Sequence, residues 1–325
     1  GVLEPLKECF VLIERVTARG VLRRGLLVCL DLEHYDFREG SMCLIRATEG
    51  TVVERLPVRV KIRSRASIEL PHIMVLIDDP EMTVIEPLFG QRLTKLYDFE
   101  LMMNGGRVRG YHVDHPKTID AIAKGLARLA DPARFSDRYG VRNTDVLLYA
   151  VGDGNHSLAS AKLFWEQVRD QAADRASVMG HPARYALVEL VNVHDKGLEF
   201  EPIHRVLFNA KPEQVFSAME DFFAPKDSEV TVLAEGEPLP FEDSRVQVID
   251  YMTTRSEGRV VIRNPQWNLE VGSLQAFLDA YCRENREAVI DYIHGDDVLR
   301  DLASKPSAVG FHLPVISKHD LFKTI

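Results

Sequence analysis

Asp153, Asn155, His156 and Ser157 fall within five positions, interleaved with Gly152 and Gly154. A carboxylate in such a group can take a proton from a hydroxyl or hold Mg²⁺. An imidazole and a hydroxyl can donate to phosphate oxygens. Glycines let backbone N–H groups approach a ligand with no Cβ in the way. The flanks say how these groups would be held. Val146-Leu147-Leu148-Tyr149-Ala150-Val151 is an unbroken apolar run, as in a strand buried on both faces. Leu158, Ala159, Ala161, Leu163, Phe164, Trp165 and Val168 recur at helical spacing. A strand, a glycine turn and a helix start suit an anion, because the first helical N–H groups lack intrahelical acceptors and the dipole favours negative charge. The plainer alternative is a capped helix start, with Asp153, Asn155 or Ser157 as the cap. The spacing is neither a Walker A loop nor a dinucleotide fingerprint.

The chain has 325 residues, enough for one large domain or two ordinary ones. Its 46% hydrophobic and 27% charged residues are those of a soluble globular protein. No apolar run approaches the roughly 20 residues of a membrane-spanning helix, so no membrane partner is expected. The net charge of −9 argues against general nucleic-acid binding, which needs a basic face. Cys9, Cys29, Cys43 and Cys282 form no C-x-x-C pair and read as small core residues of a reducing, cytoplasmic compartment, not as a zinc site. Gly1 at the start and an apolar pattern at the end suggest that the native chain extends in both directions.

Before the turn, Cys9–Arg15 and Gly25–Leu32 read as strands, and Met42–Arg46 is a short apolar run. From Thr51 the pattern is helical, with Val52, Val53, Leu56 and Val60 on one face and Arg55, Arg59 and Arg63 on another. Pro57 should end or kink that helix. Counting Arg46, Lys61 and Arg65, six bases fall within twenty residues, either a solvated face or a phosphate patch. Ile73–Ile77 is a strand ending at Asp78-Asp79-Pro80, read as a turn in preference to a Mg²⁺ site. Phe99–Met103 and Arg107–Val113 form a hairpin, and a helix over 117–129 follows, with Asp114 or His115 at its start. Tyr185–Val193 is a strand, and Glu201–Val206 is a short strand carrying His204 and Arg205.

From about Lys211 helices and strands suggest a small antiparallel sheet with helices on one face, with Asp296 capping a helix over 298–303. The expected class is therefore α+β. A mixed-sheet core over 1–209 would carry the strand–turn–helix phosphate site, with a smaller α+β part over 210–325.

Three stretches are familiar together: Ile45-Arg46-Ala47-Thr48-Glu49-Gly50-Thr51-Val52, then Gly152-Asp153-Gly154-Asn155-His156-Ser157-Leu158-Ala159, then Pro202-Ile203-His204-Arg205. Over nearly the whole chain they resemble a prokaryotic domain-of-unknown-function family, number ten-fifteen, many of whose members read Asp-Gly-His-His-Arg at the central motif. That family is in turn similar to the ParB and sulfiredoxin superfamily, which includes an archaeal kinase of free serine. The resemblance implies a ParB-like core with nucleotide phosphate at a helix start. Asp153, Gly154 and His156 match the motif, while Asn155 stands for a histidine and Ser157 for an arginine. Arg55, Arg59 or Arg205 would have to replace that missing phosphate fork. The resemblance also implies a further C-terminal segment that this chain lacks.

The resulting expectation is a nucleotide-dependent phosphotransferase acting on a small-molecule hydroxyl. It would use ATP or ADP with Mg²⁺, and a homo-oligomer is left open. Glu49, Asp153 and His156 are the catalytic candidates. Arg46, Thr48, Gly50, Thr51, Arg55, Gly152, Gly154, Asn155, Ser157, His204 and Arg205 are the cofactor-binding candidates, and no metal ligand set is assigned. A nucleotide- or metabolite-binding regulator without catalysis and a phosphate-ester hydrolase are the alternatives.

Overall fold

The computed structural model describes residues 5–38, 40–48, 53, 56–70, 73–142, 144–198, 200–240, 245–315, 318 and 321–322. The chain divides into two compact units, Gly1–Glu199 and Phe200–Thr324. Both contain a sheet with helices, so the α+β class expected from the sequence holds. Among the described residues no helix is long and apolar enough to cross a membrane.

The first unit runs β1 (Phe10–Val16), β2 (Leu22–Asp31), β3 (Ile45–Ala47), α1 (Leu56–Arg63), β4 (Met74–Ile77), β5 (Thr94–Glu100), β6 (Arg107–Val113), α2 (Pro116–Leu129), α3 (Pro132–Tyr139), β7 (Tyr149–Asp153), α4 (Asn155–Gln171), α5 (Arg175–Val178) and β8 (Tyr185–Asn192). Its eight-stranded sheet has the order β3-β7-β4-β8-β2-β1-β6-β5. The pairs β3–β7 and β4–β8 are parallel, and the other pairs are antiparallel. Leu12, Leu26, Val75, Val151 and Leu190 share one core with Leu158, Ala161 and Trp165 of α4. Burying each such aliphatic side chain contributes roughly 1.5–3 kcal/mol, and this fixes α4, and hence the turn before it, against the sheet.

Local signals explain most boundaries. Pro57 is the second residue of α1, where its missing N–H costs nothing, so it starts the helix and does not break it. His115 Nδ1 accepts the Lys117 N–H at 3.2 Å and caps α2. The β5–β6 hairpin needs Gly106, whose φ is +92° and whose Cβ would lie 1.9 Å from the Val16 carbonyl oxygen.

The second unit runs β9 (Ile203–Phe208), α6 (Pro212–Phe223), β10 (Glu229–Ala234), β11 (Val246–Met252), β12 (Glu257–Arg263), α7 (Glu270–Glu284), β13 (Val289–His294), α8 (Asp296–Ala303) and β14 (Ala308–His312). Its sheet order is β10-β12-β11-β14-β9-β13, antiparallel throughout. Phe223, Phe277, Leu278 and Phe311 anchor its core. Strand β9, grouped with the first part on sequence, is a strand of this second sheet. Asp296 does not cap α8. Gly295 occupies the cap position, and no side chain caps the helix there.

Candidate functional site

β3 and β7 are parallel neighbours, with Ala47 opposite Val151, so their carboxyl ends lie side by side. Open sheets hold ligands at such ends. Beyond β7 the chain turns at Gly154, in the left-handed region at φ 85°, ψ 23°, and enters α4. Among the described residues no side chain caps this 17-residue helix. The Leu158 N–H opens the helical ladder by donating to the Gly154 carbonyl at 2.9 Å. The N–H groups of Asn155 and Ser157 therefore have no intrahelical acceptor. Asp153 is exposed, and its Oδ1 accepts the Gly154 N–H at 2.7 Å.

Asn155 is 4% exposed, and its Nδ2 donates to Thr48 Oγ1 at 3.4 Å. Thr48 Oγ1 in turn donates to the Val151 carbonyl at 2.6 Å, which fixes the direction of both bonds. Asn155 Oδ1 is then a buried acceptor with no donor among the described residues. Leaving such a group unsatisfied costs about 1–3 kcal/mol, so an acceptor in this position favours a donor that the described residues do not supply.

Two arginines near the turn, Arg46 and Arg63, are otherwise engaged. Arg46 is 6% exposed and donates to the carbonyls of Cys43 at 3.0 Å, Asp145 at 2.8 Å and Val146 at 3.5 Å. Burial pushes its pKa down from the usual arginine value. Arg63 Nη1 donates to the Ser157 carbonyl at 3.0 Å, while its Nε meets Glu69 at 2.5 Å. Arg59 is exposed on α1. Glu49, Gly50, Thr51 and Arg55 lie outside the described residues. Thr48, Gly152, Asp153, Gly154, Asn155, His156 and Ser157 form one local group, whereas His204 and Arg205 belong to the second unit.

The Asp78-Asp79 pair makes a turn, as read from the sequence. Asp79 Oδ2 accepts the N–H groups of Thr83 at 2.5 Å and Val84 at 2.9 Å. Asp78 meets His194 Nε2 at 2.6 Å and accepts the Tyr139 hydroxyl.

A family model described as "Protein of unknown function (DUF1015)" matches residues 1–281. The chain belongs to this family. Neither the curated proteins nor the solved structures gave a match. The DUF1015 match takes in all three sequence motifs, and the third of these sits in a polar group of the second unit.

In that group Arg205 is 7% exposed and stacks over the Tyr292 ring at 4.4 Å. Its Nε donates to Gln275 Oε1 at 2.9 Å, and Nη1 donates to the Ile203 carbonyl. His204 is 1% exposed. Its Nδ1 accepts the Leu313 N–H at 3.0 Å, and its Nε2 lies 3.0 Å from Asp296 Oδ1. His312 Nε2 approaches the same oxygen at 3.2 Å, and the two imidazoles stack at 4.4 Å. The potential ligand atoms of His204, Asp296 and His312 lie within 4.8 Å of one another, close enough for a metal ion. The hydrogen bonding argues against one. An amide N–H on Nδ1 leaves the neutral ring its proton on Nε2, facing Asp296, so Nε2 offers no lone pair to a metal. The group is a hydrogen-bond relay tying β9, β14 and α8 together. No local sequence signal marks it, because Asp296 and His312 are far from His204 in the chain.

This relay makes the second unit sensitive to pH. Burial and then His312 push the His204 pKa below its ordinary value of 6.5. A second proton would have to enter at Nδ1 and displace the Leu313 N–H. The unfolded chain thus binds the proton more readily, and the contribution to stability is complete above about pH 6.5 and is lost as pH falls toward the folded pKa. For one proton the slope is at most about 1.4 kcal/mol per pH unit. Urea melts across this range should show that slope in the wild type and a flatter profile in His204→Gln. Equal slopes would refute the assignment.

Proposed function

We propose that the first unit binds the phosphates of a nucleotide at the Gly152–Ser157 turn, and that the protein is a phosphotransferase for a small-molecule hydroxyl. The observation carrying this reading is a start of α4 without a side-chain cap beside the buried Asn155 Oδ1 without a donor, both among the described residues. Phosphate oxygens would take the first N–H groups of α4, and a hydroxyl or amino group of the ligand would supply Asn155 with its donor. Phosphoryl transfer asks chiefly for positioning and charge neutralisation. Asp153, exposed at the turn, fits as base toward the acceptor hydroxyl or as a holder of Mg²⁺. Glu49 shares that role in this reading, and His156 faces phosphate. The similarity of Asp153, Gly154 and His156 to the ParB and sulfiredoxin turn supports ATP or ADP as the donor, in the cytoplasm.

A second reading has a specific observation behind it. Ser157 replaces the motif arginine, while Arg46 and Arg63 spend donors on carbonyls. A turn at which Arg46 and Arg63 are committed to carbonyls suits nucleotide binding without transfer, as in a regulator. Turnover separates the two. With ATP or ADP and Mg²⁺, phosphorus NMR should show slow transfer to water or an added hydroxyl compound. Asp153→Asn should lower that rate by roughly 10²–10⁴-fold. Wild-type turnover in the variant would remove Asp153 from the chemistry. Binding without turnover in either protein would favour the regulator.

A further inference from the structure

The four cysteines are free thiols, Cys29 exposed and Cys9, Cys43 and Cys282 half-buried. Cys29 therefore departs from the core role expected of it. β1 and β2 pair antiparallel, and the ladder ends with Val11 opposite Leu27. Cys9 lies just ahead of β1, two residues before the end of that ladder, and Cys29 lies two residues beyond it on β2, so the same register, carried on, would set them across from one another. Opposed residues of an antiparallel pair point to the same face, with Cα atoms about 4.5–5.5 Å apart. A disulfide spans Cα separations of about 4.4–6.8 Å, which a pair held in that register would meet. Cys29 also feels Cys9 electrostatically. Burial first, and Cys9 second, raise the Cys29 pKa. Burial and Asp114 raise that of Cys9. Cys43 lies beyond β2, and Cys282 lies in the second unit.

We propose that Cys9 and Cys29 form a thiol–disulfide exchange site that accepts a low-molecular-weight disulfide and resolves it to an internal Cys9–Cys29 bond. The exposed Cys29 thiolate attacks one sulfur of the disulfide, forming a mixed disulfide and releasing one thiolate. The Cys9 thiolate then attacks the Cys29 sulfur, forming the internal bond and releasing the second. Two protein thiols are oxidised, one small disulfide is reduced to two thiols, and the two protein protons end on the released thiolates. The bond would join the start of β1 to the end of β2 and close the loop between them, restricting the unfolded chain. Because both thiols titrate above the usual thiol range, exchange is slow near neutrality and speeds up as pH rises.

The test treats the full chain with glutathione disulfide at about pH 8.5, quenches with maleimide, and maps peptides by mass spectrometry. The expected result is a Cys9–Cys29 linked peptide, reversed by dithiothreitol, with Cys43 and Cys282 carrying maleimide. Cys9→Ser should keep glutathione on Cys29, with about tenfold more adduct than the wild type, for want of the resolving thiol. The oxidised wild type should melt at a higher temperature than the reduced protein. Equal glutathione adduct on Cys29 in both proteins, or both thiols still open to maleimide in the wild type, would overturn the proposal. The experiment does not depend on the nucleotide reading.

Discussion

Replacing Arg23 with leucine should lower the unfolding free energy of the first unit by about 3–5 kcal/mol. Arg23 on β2 reaches Glu189 on β8 with Nη2 at 3.2 Å from Oε1 and 3.0 Å from Oε2. Their side chains are only 12% and 5% exposed. The strand is built to admit the carboxylate: a Cβ on Gly25 would lie 2.6 Å from Glu189 Oε1. Removing Arg23 takes from the buried Glu189 carboxylate a guanidinium that meets both its oxygens, which is far costlier than losing an exposed pair. The double variant Arg23→Leu with Glu189→Leu should recover much of the loss, since neither charge of this pair is then left buried without the other. Urea unfolding of the full chain checks both. A loss below about 1 kcal/mol for the single variant would contradict this account of the pair.

Gly154→Val should abolish measurable nucleotide binding while leaving both sheets formed. Gly154 sits at φ 85° immediately before α4, and a β-branched residue is strongly disfavoured there. The cost, of order 1–2 kcal/mol, is relieved by turning the peptide out of the left-handed region. That movement redirects the first N–H groups of α4 away from a common anion. Each 1.4 kcal/mol of lost binding is tenfold in affinity, and several N–H contacts would go together. Gly154→Asn is the informative control, because asparagine tolerates this conformation and should keep most of the affinity. Thermal shift with ADP, with circular dichroism to verify folding, distinguishes the outcomes. Equal shifts for wild type and Gly154→Val would place the phosphates elsewhere.

The turn was legible because its signals are local. A continuous apolar run, two glycines and a helical repeat specify strand, turn and helix within one window, and the structure has β7, Gly154 and α4 there. The roles of individual side chains were not legible, because they depend on partners distant in sequence. Arg46 reads as a phosphate ligand on its type alone, yet its donors go to Cys43, Asp145 and Val146 carbonyls. Thr48 reads the same way, yet it bridges Val151 and Asn155. Asp296 reads as a helix cap, but His204 and His312 claim its carboxylate across the sheet. Three elements escape a sequence reading for a different reason. β13 alternates poorly because Asp291, Tyr292 and His294 are all exposed, α3 buries only Phe135, and the four-residue α5 buries nothing. With so little apolar periodicity, all three are held mainly by tertiary pairing or capping.

The most direct test of the central claim is calorimetric titration of the wild type and Asp153→Ala with ATP, ADP, CTP and GTP, each with and without Mg²⁺. The account predicts saturable binding of at least one nucleotide, strengthened by Mg²⁺ in the wild type and weakened by Asp153→Ala when Mg²⁺ is present. No binding of any nucleotide to the folded protein, or Mg²⁺-dependent binding unchanged by the substitution, would contradict it. The turn would then be an uncapped helix start whose donorless amide is satisfied in some other way.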